Sequence, residues 1–565
     1  MISKTETAVR LAVAFAVAAV SSGCSWFSSL GKVSDTFSEV TRSGEMGDPF
    51  TVPGYRVPAA HPRGLAAGAA STDITPPPGF PTGGHGPAGN VSRGYWMRLR
   101  SRAFYFEDAR GHALALVSAD LFGIPRGLSQ RVAQLATARL AQGGIEVPLP
   151  PEAVIIAATH THHGPGNFLT ARIYNQFGSS YPGFSSELFE FLASRIADSL
   201  VDAVRSSRAE AGAIELIIHT HRLPYGFLRN RSPKAFMLNL DRDALLSEWN
   251  SGEATPSCVP EADEPAVGWE APECVRLRAL DRALTVLEVK RAGARLAALV
   301  FFAAHPSDLP AETPFYSPDF VGEAMGSLER RLGITVGFFN GAEGDVTLRR
   351  RVRDLRETIQ FGERLAVDAE QALARTGSNA LGDALIRLRA AAWRTADEGS
   401  CQNARLAPDP AFGVATLGGP EDDRTQLYLL GWRDGVRETG GGAQGVKLPA
   451  LDSRILRGVR FSSEFAPPVA YPQVLPLALA SIGDFTVAAV PLEASTAQGA
   501  LLRHSLNLPH GKLEIVGLAN EYASYCASRD EYWAQDYMGA STIWGPDEGP
   551  YLACRLAELA RSPEV

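Results

Sequence analysis

The chain has 565 residues, 45% hydrophobic and 21% charged, which is the composition of an ordinary globular protein with material for a large core. The length suggests about two to four units. A formal net charge of −8 argues against general nucleic-acid binding, because phosphate contacts need a basic surface. Beyond the N-terminal region no apolar run reaches about 18 residues, so no internal membrane span is predicted.

The N-terminus has the pattern of a secretory signal. Lys4 and Arg10 flank the apolar residues 11–20, a stretch too short to span a bilayer, and small residues follow up to Cys24. The residues before Cys24 are similar to a bacterial lipoprotein cleavage site, and plain secretion is the alternative. We therefore expect residues 1–24 to be a signal peptide or lipoprotein signal. The protein would be exported as a periplasmic or outer-membrane lipoprotein, held at the membrane surface by acylated Cys24, or secreted.

The rest of the chain divides by composition. Residues 25–63 are rich in Ser, Thr, Gly and Pro and predict a flexible linker. Apolar strands then alternate with amphipathic helices, which predicts one α/β catalytic domain over residues 64–565. Two segments interrupt it. The segment near 247–272 is acidic and Pro-rich and predicts a surface insertion, while the segment near 400–449 is rich in Gly and Pro and predicts long surface loops.

The cysteines fit an oxidising compartment but match no zinc-finger spacing. After Cys24 the remaining ones are Cys258, Cys274, Cys401, Cys526 and Cys554. A pair between Cys258 and Cys274 would close a loop rich in Pro, Glu and Asp. The connectivity stays open, because spacing alone does not determine it.

Four apolar runs each end in residues able to bind a metal or catalyse a reaction. They are residues 153–158 before Thr159-His160-Thr161-His162-His163-Gly164-Pro165-Gly166, 296–304 before His305-Pro306, 334–339 before Asn340-Gly341-Ala342-Glu343-Gly344-Asp345-Val346-Thr347, and 485–490 before Pro491-Leu492-Glu493. Unbroken apolar runs predict strands buried on both faces. We expect an α/β fold with a mixed, largely parallel buried sheet flanked by helices, and a metal site at the C-terminal edge of the strands.

The residue types at these ends favour a hydrolytic zinc site. His160 and His162 alternate along an extended backbone and therefore share one face, and His305 offers a third imidazole. Taken singly, each of these residues has a plainer explanation. His160 and His162 could be a structural or surface pair, His305 a hydrogen-bonded core histidine, and Glu493 a solvent-exposed acid. The Gly-rich loop before Thr347 is costly to order, which favours a function, and the alternative is a turn in which Asp345 caps a helix.

A series of motifs then resembles one enzyme family along the chain from about Gly64 to the C-terminus. In order they are Thr159-His160-Thr161-His162, Gly164-Pro165-Gly166, Asn230-Arg231-Ser232-Pro233, Ala304-His305-Pro306, Gly344-Asp345-Val346-Thr347, Pro491-Leu492-Glu493, Asn520-Glu521-Tyr522-Ala523-Ser524-Tyr525 and Ala540-Ser541-Thr542-Ile543-Trp544-Gly545-Pro546. This order is similar to that of the neutral/alkaline, non-lysosomal ceramidases.

The resemblance implies one zinc ion per chain with two His, one Glu and one Tyr as ligands. The matching residues are His160, His305, Glu493 and Tyr525. It implies that zinc-activated water hydrolyses an N-acyl amide of the ceramide type to a fatty acid and a sphingoid base. Residues implied to take part in the reaction are His162 as proton shuttle, Arg231 and Thr347 as oxyanion donors, Asp345 as the residue that orients the loop, and Tyr537 as a further polar contact.

Three departures from the family pattern keep alternatives open. Thr347 stands where the family has Ser, and Leu492 stands where it usually has Gly. The chain also ends about twenty residues after Pro546, so the family's C-terminal immunoglobulin-like domain is expected to be absent. The close alternative is a related periplasmic zinc amidase or esterase that acts on another lipid or N-acyl substrate. A non-catalytic lipid-binding lipoprotein is the more distant one.

Overall fold

The computed structural model of the chain describes residues 64–147, 149–209, 212–251, 272–350, 353–375, 379–380, 385–452, 471–508 and 511–564. The predicted signal and linker, residues 1–63, lie outside these ranges, as do most of the predicted insertion near 247–272 and Cys258 of the suggested disulfide. Within the described ranges, no helix is long and apolar enough to cross a membrane.

The β-strands of the described ranges are numbered in chain order. They are β1 Ala66–Asp73, β2 Arg100–Glu107, β3 Ala113–Ala119, β4 Val154–Ala158, β5 Ile214–Arg222, β6 Leu228–Asn230, β7 Ala283–Arg291, β8 Ala294–Phe302, β9 Thr335–Asn340, β10 Val346–Leu348, β11 Asn379–Ala380, β12 Ile386–Arg394, β13 Ser400–Cys401, β14 Ala404–Arg405, β15 Ala411–Gly413, β16 Arg437–Gly442, β17 Gly445–Lys447, β18 Pro449–Asp452, β19 Val474–Ile482, β20 Phe485–Ala489, β21 Glu493–Ala494, β22 Leu513–Val516 and β23 Tyr525–Cys526.

The α-helices are numbered in the same way. They are α1 Arg126–Gln142, α2 Arg172–Phe177, α3 Ser186–Ala209, α4 Pro233–Phe236, α5 Arg242–Asn250, α6 Pro272–Arg278, α7 Asp319–Leu332, α8 Leu355–Ala374, α9 Thr395–Glu398, α10 Val414–Gly418, α11 Gln426–Leu429, α12 Thr496–Leu506, α13 Arg529–Tyr532, α14 Tyr537–Ser541 and α15 Glu548–Arg561.

Three mixed sheets form the centre of the α/β fold, in the strand orders β1-β2-β3-β4, β11-β5-β7-β8-β9 and β12-β19-β20-β22. Most neighbouring strands in them are antiparallel. The prediction of a largely parallel sheet is therefore wrong. Each sheet nevertheless ends in one parallel pair, namely β3 with β4, β8 with β9, and β20 with β22.

The apolar runs are buried on both faces because one face of each sheet packs on the other sheets and the opposite face packs on helices. One hydrophobic cluster contains Leu116 of the first sheet, Leu299 and Phe339 of the second, and Val487 and Val516 of the third. A strand covered by another sheet on one face and by helices on the other is therefore continuously apolar. A strand of a parallel sheet covered by helices on both faces has the same pattern. Hydrophobicity alone does not separate the two arrangements, which explains the error in strand direction.

The segment near 400–449 differs from the long surface loops that its composition predicts. It contains β13 to β17 together with the short helices α10 and α11. Trp432 is buried in a small cluster with Val414 and Ala450, and Lys447 is also buried. Cys401 of β13 forms a disulfide with Cys554 of α15. The segment is therefore a packed part of the structure, while the division into domains stays a prediction.

Candidate metal centre and active site

The Asn340 side chain joins the ends of two strands that lead into histidines. Its Nδ2 donates to the carbonyl of Thr159 (3.3 Å) and to that of Ala304 (3.0 Å), and its Oδ1 accepts from the Ala304 amide (3.1 Å). Thr159 immediately precedes His160, and Ala304 immediately precedes His305. One buried amide at the end of β9 thus brings both imidazoles to the same place.

His160 is held in a strained backbone conformation. Its φ is 74°, in the left-handed region that non-glycine residues rarely adopt. Its Nδ1 lies 2.6 Å from the carbonyl oxygen of Phe122. A carbonyl only accepts hydrogen bonds, so the ring proton lies on Nδ1 and the lone pair on Nε2. This is the usual arrangement of a histidine whose free nitrogen binds a metal.

Three imidazoles meet at this point. His162 Nε2 lies 3.4 Å from His160 Nε2 and 3.1 Å from His305 Nε2. Burial, followed by the neighbouring His85, lowers the pKa of His162 well below its ordinary value, and burial with Arg231 does the same for the pKa of His305. Both rings are therefore neutral near pH 7, which is the form that binds metal ions.

Glu493 places a carboxylate beside these rings. It is completely buried, its Oε1 accepts from Tyr522 Oη (2.7 Å), and its Oε2 has no hydrogen-bond partner. Oε2 lies 3.3 Å from His160 Nε2 and 3.7 Å from His305 Nδ1. Burial favours the neutral acid, but His160 and the hydroxyls of Tyr525 and Tyr522 outweigh burial and hold the pKa of Glu493 below its ordinary value.

These donors fit a zinc ion. Two groups of side chains, each including His160, have ligand atoms that all lie within 4.8 Å of one another. The groups are His160 with His162 and His305, and His160 with Glu343 and Glu493. Neutral imidazoles and carboxylate oxygens are ligands that Zn²⁺ prefers. The orphaned Glu493 Oε2 and the lone pair of His160 face the same space. The identity of the ion and the ligand set stay predictions.

Tyr525, the fourth expected ligand, lies next to Glu493 in the fold. The two residues are register partners in the short parallel pair β21 and β23. Tyr525 Oη accepts a hydrogen bond from Arg231 Nη2 (3.1 Å). The structure thus brings together all four residues expected to hold the ion, together with His162.

Arg231 is fixed at the edge of the imidazole group. Its Nη2 donates to the Gly344 carbonyl (2.7 Å) and lies 3.4 Å from His305 Nδ1. Its Nη1 faces Asp422 Oδ1 at 3.4 Å. The guanidinium also lies 5.7 Å from the ring centre of Tyr537, a favourable cation–π distance. Arg231 and Tyr537 are therefore part of the same site.

Asp345 is buried and ties its loop to two other parts of the fold. It accepts from Asn230 Nδ2 (2.7 Å), from the Thr496 amide (2.8 Å) and from Thr496 Oγ1 (2.8 Å). Thr496 begins α12, whose own N-cap is Ser495. Asp345 therefore does bind a helix start, but that of a distant helix rather than of α8, which Asp354 caps. These contacts fix the loop that leads to Thr347.

The Thr347 hydroxyl already has a partner. Its Oγ1 donates to Asp422 Oδ2 at 2.9 Å, and both side chains are about 1% exposed. A hydroxyl has one proton, so in this arrangement Thr347 has none left for an oxyanion.

Four further residues of the site were not singled out from the sequence. Glu343 is buried with both oxygens unpartnered, and burial together with Glu493 raises its pKa well above its ordinary value. Tyr522 binds Glu493, and His85 packs edge-on against His162 at 4.9 Å between ring centres. Glu343 and Tyr522 lie within the sequence motifs quoted above, and this position could have identified them from the sequence. Asp422 stands in a Gly- and Pro-rich segment that offers no such signal.

A mixed α/β fold that gathers buried imidazoles and carboxylates at the ends of parallel strand pairs defines an enzyme with a candidate metal centre. The family model for the neutral/alkaline non-lysosomal ceramidase, N-terminal, matches residues 65–347 and 459–552. The chain therefore belongs to this family, and it is an amidohydrolase of the neutral ceramidase type. The intervening residues 348–458, which include Asp422, lie outside the match.

Individual relatives agree. The chain is 27% identical over 532 residues to the neutral ceramidase of Drosophila melanogaster, covering 85% of this chain and 71% of that protein. It is 26% identical over 495 residues to the Pseudomonas aeruginosa neutral ceramidase, covering 80% and 65%. A solved structure described as ceramidase complexed with C2 matches with a TM-score of 0.66 at 23% identity, over 88% of this chain and 74% of that one. This last match supports the fold.

Proposed function

We propose that the protein is a zinc-dependent hydrolase of N-acyl amide bonds that converts a ceramide-type lipid to a fatty acid and a sphingoid base. The observation that carries the proposal is the orphaned, buried Glu493 Oε2 beside His160 and His305 in a member of this family. A buried carboxylate oxygen without a hydrogen-bond partner, next to two imidazoles, is a favourable place for a cation. One zinc ion per chain, held by His160, His305, Glu493 and Tyr525, would do so.

Bound zinc would supply Lewis-acid activation of water and of the amide carbonyl. The chain's own residues supply the remaining parts. Arg231, fixed by the Gly344 carbonyl, holds the substrate carbonyl and offsets the charge that develops on its oxygen. As the carbon–nitrogen bond breaks, water contributes its OH to the acyl carbon and His162 moves a proton to the leaving amine. Asp345 orients the loop, and Tyr537 lines the site beside Arg231.

A second candidate is a related zinc amidase or esterase that acts on a different N-acyl or lipid substrate. The observation that favours it is the bond between Thr347 and Asp422. Thr347 replaces the serine of the family, and Asp422 comes from residues that the family model does not match. The polar contacts of Thr347 therefore depend partly on a segment outside the family match.

Location and partners are proposed on the N-terminal pattern. Residues 1–24 would direct export, and an acylated Cys24 would hold the enzyme at a membrane surface where lipid substrates reside. Residues 25–63 would act as the tether. No nucleic-acid partner is expected from the net charge of −8.

The test is a substrate panel on the full-length, zinc-loaded protein. Ceramide in mixed micelles, an N-acyl amino acid and a fatty acyl ester are compared by release of free fatty acid. Ceramide hydrolysis that His160→Ala abolishes, and that the exposed-site control His504→Ala leaves intact, supports the proposal. Turnover of another substrate with ceramide untouched would establish the second candidate instead. Purified protein without stoichiometric zinc would contradict the metal part.

A further inference from the structure

Asp422 is the residue that connects Thr347 to the rest of the site. One carboxylate oxygen, Oδ2, accepts the Thr347 hydroxyl (2.9 Å) and lies 3.5 Å from Arg350 Nη2. The other, Oδ1, lies 3.4 Å from Arg231 Nη1. The Arg350 guanidinium also donates to the main-chain carbonyl of Asp422 (3.3 Å) and to Asp308 Oδ1 (3.1 Å). The carboxylate is therefore fixed from several sides.

The charge of this carboxylate is well compensated. Burial alone would raise the pKa of Asp422, but the guanidinium groups of Arg231 and Arg350 outweigh burial and hold the pKa far below its ordinary value. A strongly acidic carboxylate is a poor general base, because a good base has a pKa near the working pH. Asp422 therefore orients the proton of Thr347 without removing it.

We propose that Asp422 is a positioning residue that turns the Thr347 proton away from the substrate, so that Thr347 acts as a hydrogen-bond acceptor. With its one proton held by Asp422, the hydroxyl offers only lone pairs to its other neighbours. The matching group on the substrate is a donor, either the amide N–H or a hydroxyl of the amino alcohol. Arg231 then remains as the donor to the developing oxyanion.

This inference rests on the proposed function, because turnover of an N-acyl substrate is its main readout. The decisive variant is Asp422→Asn, which keeps the volume. Its Oδ1 can still face Arg231, but its Nδ2 then faces Thr347 and reverses the direction of the hydrogen bond. The Thr347 proton would point elsewhere, and we expect kcat to fall about 10- to 100-fold, the usual effect of losing an outer partner of an active-site group. KM should change much less.

A competing role for Thr347 predicts the opposite result. If Thr347 donates to the oxyanion, Asp422→Asn frees its proton and leaves kcat unchanged or raises it. That outcome overturns the proposal. The isosteric variant Thr347→Val removes the hydroxyl and should lower kcat to a similar extent, while Thr347→Ser should stay within a few-fold of the parent. Because Asp422 acts through Thr347, the double variant Asp422→Asn/Thr347→Val should be no slower than the slower single one.

Two controls separate this role from a merely structural one. Asp434→Ala breaks an ion pair with Arg424 in the same segment and should leave kcat unchanged. Thermal unfolding of every variant is measured with the kinetics. If the fold losses of kcat of the two single variants multiply in the double variant, the proposal is overturned even where Asp422→Asn is unstable. A wild-type protein that turns over no N-acyl substrate overturns the proposed function instead. If the parent is active and Asp422→Asn keeps the kcat of the parent, only this inference is overturned.

Discussion

Glu493 Oε2 lies 3.3 Å from His160 Nε2, and both side chains are completely buried. The His160 proton lies on the opposite nitrogen, next to the Phe122 carbonyl. The carboxylate oxygen and Nε2 of the imidazole therefore face the same space, where one bound cation would contact both.

The first prediction follows from this contact. Glu493→Gln keeps the shape but removes the charge, so the variant should bind zinc much more weakly than the parent. Added zinc should raise the melting temperature of the parent and have much less effect on the variant, because a ligand stabilises only the state that it binds. Zinc per chain is measured alongside thermal unfolding. His504→Ala is the control, and a Glu493→Gln variant that still binds one zinc tightly would contradict the ligand assignment.

A second prediction concerns the Asn340 clamp. Asn340→Ala leaves the carbonyls of Thr159 and Ala304 and the Ala304 amide without their buried partner. We expect the free energy of unfolding to fall by about 1–3 kcal/mol for the unsatisfied groups. Zinc affinity should fall as well, because the clamp aligns His160 with His305. Chemical denaturation and zinc titration measure the two effects. Asn403→Ala, at an exposed turn, is the control, and zinc affinity equal to the parent's would show that the clamp does not position the site.

The sequence predicts that the four apolar runs end close together, but it does not predict how their strands are arranged in sheets. Strands β4, β8, β9 and β20 cover the four apolar runs, and each of these strands belongs to the parallel pair of its sheet. The carboxyl ends of the four strands converge on the candidate site. The predicted parallel direction is wrong for most other strand pairs, because hydrophobicity reports burial and not the direction of the neighbouring strand. Only the fold could show that other sheets cover one face of these strands, while the predicted helices cover the opposite face.

Asp422 shows the other limit of sequence-based prediction. His160, His305 and Glu493 each follow an apolar run, so local pattern points to them. Asp422 lies in an irregular segment, and its contacts with Arg231 and Thr347 span 191 and 75 residues of chain. No local period encodes a contact of this kind. The same holds for the pairing of Cys401 with Cys554, which composition left open.

A third prediction uses the buried acid Glu548. Burial, the main cause, raises its pKa to about 8 from an ordinary value of 4.5, and its Oε2 accepts from the Trp544 amide. Between these pH values the folded protein holds a proton that the unfolded chain releases. The free energy of unfolding therefore falls as the pH rises from about 4.5 to 8, by up to about 1.4 kcal/mol per pH unit from this group.

Glu548→Gln removes the titration but keeps the shape. The stability of the variant relative to the parent should therefore increase with pH across that window and level off above about pH 8. Urea denaturation at intervals of half a pH unit measures the difference. Glu558→Gln, at a partly exposed residue of the same helix paired with Arg555, is the control and should differ from the parent by a constant amount. A flat difference for Glu548→Gln would mean that Glu548 is ionised in the folded protein.

The last prediction concerns the disulfide between Cys401 and Cys554, which joins residues 153 positions apart. It fastens β13 of the segment that contains Asp422 to the C-terminal helix α15. Closing so long a loop restricts the unfolded chain, so Cys401→Ser/Cys554→Ser should lower the free energy of unfolding by about 2–5 kcal/mol. Denaturation with and without a reductant measures it. The reductant should destabilise the parent, and it should affect the double variant much less. An equal loss in both would place the redox effect at the remaining cysteines.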